Sequence, residues 1–484
     1  MIEIKTKIHD SFSVEFKESF VVGSKEKDNN FAVNTWIFVP NSLDINPQTY
    51  GKDQFYRDVK SNVRLITPVY IMRDIVGGKA VPLNYLRNAM SNMASAPTKS
   101  NISEFEYQIK MFCAIAKSSM RDEVAHILSS TQTDDIIFLS EEYQKNLTNI
   151  VRYYRGLRQI INVPTITDQI REYFKFGDEF LGHISSLYTF RVIKKLAKAT
   201  PDTQIKVLLL DFIKENEDYK KSMGYPVVIK GDNSNNQNLV FRHGILKKYV
   251  ESDLFIKLDK KKDGFALEQI LYAVAAGVAM IFATVVSFSV QRNYGSLSIP
   301  LFFALIISYM LKDRIKELMR YFFAHRLVAK YFDNKAIVKI KDQEVGWMKE
   351  GVDFITDQKT PKEVLDIRNR SLLVQAENRI FDEKIILYRK LVYIDSKELS
   401  DNNIYPVSGI NDIFRLHVTR FTQKMDNPQQ PLTILDADGN VSEITSQKIY
   451  YINIIIQVRY GENIDYKRFR IVMTRDGIQK VEEL

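Results

Sequence analysis
The residues best placed to do chemistry lie on two stretches of helical pattern. Glu123-Val-Ala-His126 sets a carboxylate and an imidazole on one helix face, and Glu179 with His183 repeats the pairing at a spacing of four. A two-metal site in a helical bundle takes a Glu-x-x-His motif from each of two helices and a further carboxylate from each of two others. Here the second pair is misspaced, so a surface or hydrogen-bonded helix face is the plainer expectation, with no metal. Asp134-Asp135, Glu141-Glu142 and Asp178-Glu179 are adjacent acids of the kind that complement the dipole at helix starts. His243, His325 and His417 stand near basic residues with no nucleophile close in sequence.

Other local signatures of chemistry are missing. The chain has no G-x-x-x-x-G-K-[ST], G-x-G-x-x-G, G-x-S-x-G or H-E-x-x-H; Gly77-Gly78-Lys79 lacks both the first glycine and the hydroxyl of a phosphate loop. The single cysteine, Cys113, excludes an internal disulfide framework and any Cys-based zinc cluster. No cofactor is expected. Arg152-Tyr-Tyr-Arg-Gly-Leu-Arg158 and Tyr466-Lys-Arg-Phe-Arg470 mix bases with rings, as single-strand binders do. No recognised nucleic-acid module accompanies them, so nucleic acid is not expected as a partner and solvated faces with snorkelling stems are.

Any such groups must be positioned by three soluble regions. Residues 1–76 open with strands: Phe12, Val14 and Phe16 alternate with polar residues, and the run 31–39 stops at Pro40. Residues 53–76 are expected to be mostly helical. Residues 77–230 form a helical bundle, with apolar spacings of three and four over 104–128, 141–161, 167–197 and 203–223. The polar run 231–238 reads as a boundary loop, and 244–258 as an amphipathic helix at a membrane interface. Residues 334–484 return to mixed α and β, with strands expected over 385–394, 413–421, 450–460 and 466–474; 450–460 alternates as a half-buried strand does. Asp436-Ala-Asp-Gly-Asn440 marks a hairpin turn.

The composition, with 45% hydrophobic and 26% charged residues, is that of ordinary globular material apart from one region. Residues 270–290 carry no charge, and as a helix would be about 31 Å long, matching the hydrocarbon of a bilayer. Residues 294–311 are a second uncharged run, with Ser298 and Pro300 suited to a helix start. The expected fold class is therefore α+β with a central two-helix transmembrane hairpin, spans 270–290 and 294–311, inside a membrane region of 231–333. Lys260, Lys261 and Lys262 precede it, and Lys312, Arg314, Lys316 and Arg320 follow it, while the loop holds only Arg292. Positive flanks stay cytoplasmic, so a two-pass protein of the inner (cytoplasmic) membrane with both termini cytoplasmic is expected, its basic flanks on anionic head groups. The first twelve residues have no apolar core of a signal peptide.

Small residues in the first span form two ridges, Ala273 with Gly277 and Ala275 with Ala279 and Ala283. Such spacing lets backbones approach in lipid, either within the hairpin or between copies in a homo-oligomer. The net charge of +9 suits anionic partners. The function expected is a membrane-anchored cytoplasmic scaffold, sensor or signalling platform. A membrane-anchored enzyme with an unconventional site and an oligomeric pore-forming effector are the alternatives.

Overall fold
The computed structural model describes residues 1–23, 28–77, 80–164, 166–199, 203–295, 298–326, 331–340, 342–435 and 439–484. The chain runs β1 (Ile2–Asp10), β2 (Ser13–Val21), β3 (Asp28–Val39), α1 (Lys52–Asp58), β4 (Val59–Leu65) and α2 (Met72–Val76). Helices follow: α3 (Val81–Ser95), α4 (Lys99–Ser129), α5 (Thr133–Gly156), α6 (Arg158–Ile161), α7 (Asp168–Ala199), α8 (Gln204–Ser222) and α9 (Asn233–Glu251). Next come β5 (Lys257–Lys262), α10 (Phe265–Tyr294), α11 (Ile299–Arg326), β6 (Asn334–Ile340), β7 (Gln343–Ile355), α12 (Lys362–Arg368) and α13 (Leu372–Asn378). The chain ends with β8 (Lys384–Asp395), α14 (Ser396–Asp401), β9 (Gly409–His417), α15 (Thr419–Thr422), β10 (Gln429–Leu435), β11 (Val441–Gln447), β12 (Tyr450–Tyr460), β13 (Asn463–Thr474) and β14 (Gly477–Glu483). This is a mixed α+β chain with N-terminal strands, a helical middle and C-terminal antiparallel sheets.

Two compact units divide it. The sheet unit takes residues 1–63, 257–404 and 409–484; the helical unit takes 64–256 and 405–408. In the sheet unit a four-stranded sheet of order β1-β2-β9-β4 faces an eight-stranded antiparallel sheet of order β14-β13-β12-β3-β8-β7-β6-β5. Rings interlock between the sheets: Phe16 of β2 meets Phe469 of β13 edge-on at 5.8 Å, and Phe20 meets Phe31 of β3 at 5.4 Å. Residues 1–76 are thus no separate β region. β3 lies between β12 and β8, pairing Trp36 with Ile455 and with Leu387, so strands hundreds of residues apart build one sheet. β12 is buried on both faces, where half burial was expected: Ile454 looks towards the inner sheet, while Ile455 packs with Trp36, Phe38 and Ile385 beneath Val364 of α12. The β10–β11 ribbon stands exposed on both faces, and its turn residues 436–438 lie outside the described residues.

The expected helix over 53–76 is instead α1, β4 and α2, because β4 joins the sheet next to β9. The polar run 231–238 is no loop. Asp232 caps α9 through the Asn235 backbone N–H at 2.9 Å, and the helix begins inside the asparagine run. Nor does α9 lie at a membrane interface through 258: Leu239, Leu246 and Val250 are buried in the helical unit, and 257–262 is the edge strand β5.

The hairpin also differs from expectation. Among the described residues, one helix is long and apolar enough to cross a membrane, α10. α11 starts at Ile299, so its uncharged part up to Leu311 is about 20 Å long, short of a bilayer's hydrocarbon. The two helices run antiparallel: Ser308 Oγ donates to Ala283 O at 3.2 Å, and the Arg320 guanidinium lies 5.2 Å from the Tyr272 ring. That register sets Lys312 level with Ala279 and Met280, halfway along the apolar part of α10. The hairpin grows out of one strand pair. β5 and β6 match Lys262 with Asn334, so its two ends leave the sheet side by side.

Candidate functional site
The densest polar constellation of the helical unit is built on α7. Asp178, buried at 2% exposure, accepts from Arg155 Nε at 3.2 Å, Arg158 Nη2 at 3.0 Å, Tyr219 OH at 2.6 Å and Tyr225 OH at 3.1 Å. Arg155 stacks 3.5 Å from the Tyr219 ring and donates to Asn216 Oδ1 at 2.6 Å. Asn216 in turn bonds Gly182 O and Ser186 Oγ, both at 2.8 Å. Burial and the Asp178 carboxylate push the Tyr219 and Tyr225 phenols well above the ordinary tyrosine range. Four donors converging on one carboxylate satisfy it, so this hub fixes α7 against α5 and α8 and leaves no free base.

One turn further on, the arrangement opens. Glu179 takes a bidentate pair from Arg242 of α9, Nε at 2.6 Å and Nη2 at 2.7 Å. His183 of α7 and His243 of α9 stack with centroids 3.5 Å apart and planes 23° from parallel. Burial, the neighbouring His243, Lys220 and Lys117 lower the His183 pKa to about 4; burial also lowers that of His243. Both shifts favour the uncharged imidazole. The two rings open onto a cavity of about 400 Å³ between α7, α8 and α9, whose wall is mostly apolar. Ser186, Glu217 and Lys220 join the imidazoles at its polar end. Its volume, apolar wall and few convergent polar groups are those of a small-molecule site.

The sheet unit buries a second charged cluster. Glu18 of β2 and Asp412 of β9 are directly opposed across the strands, and Lys390 of β8 reaches between them, 2.8 Å from Glu18 Oε2 and 2.6 Å from Asp412 Oδ2. Ser61 donates to Asp412 Oδ1 at 2.6 Å, whereas Glu18 Oε1 is buried without a partner. Burial raises the Glu18 pKa to about 7, with Asp412 adding to the rise against the pull of Lys390. Burial opposes the charge on Lys390, yet Asp412 and Glu18 hold its ammonium above the ordinary range. A closed triad without a cavity large enough for a ligand is a structural ion cluster.

The residues singled out from sequence fall as follows. Ala275 and Ala279 are buried where α10 meets α11, whereas Ala273 and Gly277 face outwards, and a Cβ on Gly277 would touch nothing within 4 Å. Ala283 supplies the carbonyl that Ser308 grips. Lys260 and Lys262 pair with Glu350 at 2.9 Å and Glu268 at 2.6 Å, with Lys261 exposed between them on β5. Lys312 caps the Tyr309 ring at 4.0 Å, Arg314 pairs with Glu317 and Lys316 with Asp313, and Arg320 lies over Tyr272. Glu123 and His126 share a helix face, but no hydrogen bond links them; burial raises the Glu123 pKa. Glu179 and His183 both line the cavity beside α7, and the unforeseen partner of His183 is His243. In the basic stretches, Arg155 and Arg158 serve Asp178, while Lys467 and Arg470 pair with Glu483 and Glu482. Gly78, Lys79 and the side chain of His325 lie outside the described residues. Among the described residues, no three His, Cys, Asp or Glu side chains are arranged to hold a metal ion.

No protein family matches the chain, and no curated protein or solved structure resembles it significantly.

Proposed function
We propose that the chain is a membrane-anchored scaffold, sensor or signalling platform, held by the α10–α11 hairpin with both flanks and both folded units on the cytoplasmic face. The observation that carries this reading is the surface of α10. Its most apolar stretch is only 11% buried, and Ile270, Met280, Ile281, Val285 and Phe288 each stand more than half exposed. None of the described residues covers them, and a contiguous apolar surface of this length needs lipid or a partner. The side-by-side departure from β5 and β6 supports a common face for the flanks, as does their lysine and arginine content. Single cysteines at Asn293 or Ser252, in a Cys113→Ser background, test it with an impermeant maleimide on intact cells, any outer membrane being permeabilised. Position 293 should be labelled and 252 protected. Labelling of 252 from outside, or a chain found in the soluble fraction, overturns the reading.

A further inference from the structure
We propose that the cavity between α7, α8 and α9 binds an uncharged, mainly apolar small molecule that carries one hydrogen-bonding group. This goes beyond anchoring, which uses none of these residues. The volume of about 400 Å³ holds a compact organic molecule but no peptide helix. Charge selection is absent: Lys220 is paired with Glu217 at 2.7 Å and Glu179 with Arg242, so neither an anion nor a cation meets an uncompensated group. Among the described polar side chains of the lining, the two imidazoles make no hydrogen bond, whereas Ser186, Glu217, Lys220 and Asn236 are each engaged with protein partners. A ring nitrogen can donate or accept, so a single hydroxyl, carbonyl or amine on the ligand suffices. A metal ion is a poor fit, because stacked rings do not aim two lone pairs at one point. Phe190 and Val240 stand 46% and 72% exposed at the rim of the cavity, apolar surface that a ligand would cover.

The test uses the full chain in nanodiscs and the fluorophore 1-aminoanthracene, an uncharged fused-ring amine. Saturable one-site binding above that of empty nanodiscs is expected. Phe190→Asp and Val240→Asp, both at partly exposed positions, should weaken it at least tenfold without altering thermal unfolding, whereas Val207→Asp, exposed on α8 away from the cavity, should not. Absence of saturable binding, or binding that both rim variants leave unchanged, overturns the site. Tighter binding of the anionic probe 8-anilinonaphthalene-1-sulfonate overturns the ligand class. Membrane fractionation of the same variants should be unchanged, so loss of binding and loss of anchoring are read separately.

Discussion
Lys390 shows how a single residue can hold two sheets in register. Opposed carboxylates on adjacent strands repel, and here Glu18 and Asp412 are opposed inside a core. The ammonium from the facing sheet makes the arrangement tolerable. Lys390→Met therefore leaves two buried acids without a counter-ion, and should cost about 3–5 kcal/mol by chemical denaturation. The pH dependence has a definite sign. Glu18 takes its proton near 7 in the folded chain and near the ordinary carboxylate value unfolded, so between those values the folded form binds more protons. Its contribution to stability is complete at pH 4 and is lost as pH rises through 7. Glu18→Gln should abolish that loss and leave the variant more stable than the parent at pH 8; a parallel pH profile for the two would contradict the assignment. None of this was legible in the sequence, since the partners lie 372 and 22 residues away and lysines and glutamates are rarely buried. The site on α7 was half legible. The spacing of Glu179 and His183 marked a polar face, but His243 arrives from a helix whose start resembled a loop.

At the level of elements, periodicity served wherever neighbours in sequence decide the structure. Helices α4, α7 and α8 and strands β8, β12 and β13 lie close to where their apolar spacing put them. It failed over 53–76, where β4 is held by β9, a strand some 350 residues on, and at α9, where one capping aspartate outweighs an asparagine-rich start. It also left the two small-residue ridges of α10 undistinguished, because both obey the same spacing. Burial separates them. Ala275 and Ala279 are 0% and 1% exposed, so Ala279→Leu drives a larger side chain into the α11 contact and should lower hairpin stability by about 1–3 kcal/mol. Gly277→Leu points into open space and should leave the unfolding of the solubilised monomer unchanged or slightly improved. Thermal unfolding in detergent distinguishes the pair; equal destabilisation by both would place a second contact on the outer ridge.

At the level of the molecule, the sheet unit is a sandwich whose sequence is interrupted twice. The helical unit is inserted between β4 and β5, and the hairpin between β5 and β6. Reading along the sequence divides such a chain into consecutive blocks, because nothing local reveals that residues 1–63 and 409–484 complete one another's sheets. The hairpin is inserted into one strand pair, β5 and β6, whose Lys262–Asn334 rung lies at the edge of the eight-stranded sheet.

Under the proposed anchoring, the short uncharged part of α11 would set a preference among bilayers. With about 20 Å of shared apolar length against about 30 Å of hydrocarbon, an inserted hairpin would carry a hydrophobic mismatch of about 10 Å. At fractions of a kcal/mol per ångström, the elastic cost of thinning the bilayer around it reaches several kcal/mol. Short acyl chains relieve that cost, and so does clustering, in which copies share one thinned patch. Reconstituted into phosphatidylcholines of 14- or 22-carbon chains, the protein should unfold at a higher temperature and stay dispersed in the former, and cluster in the latter. Indifference to chain length would mean that α11 leaves the hydrocarbon where its charges begin and that the anchor sorts by head group alone.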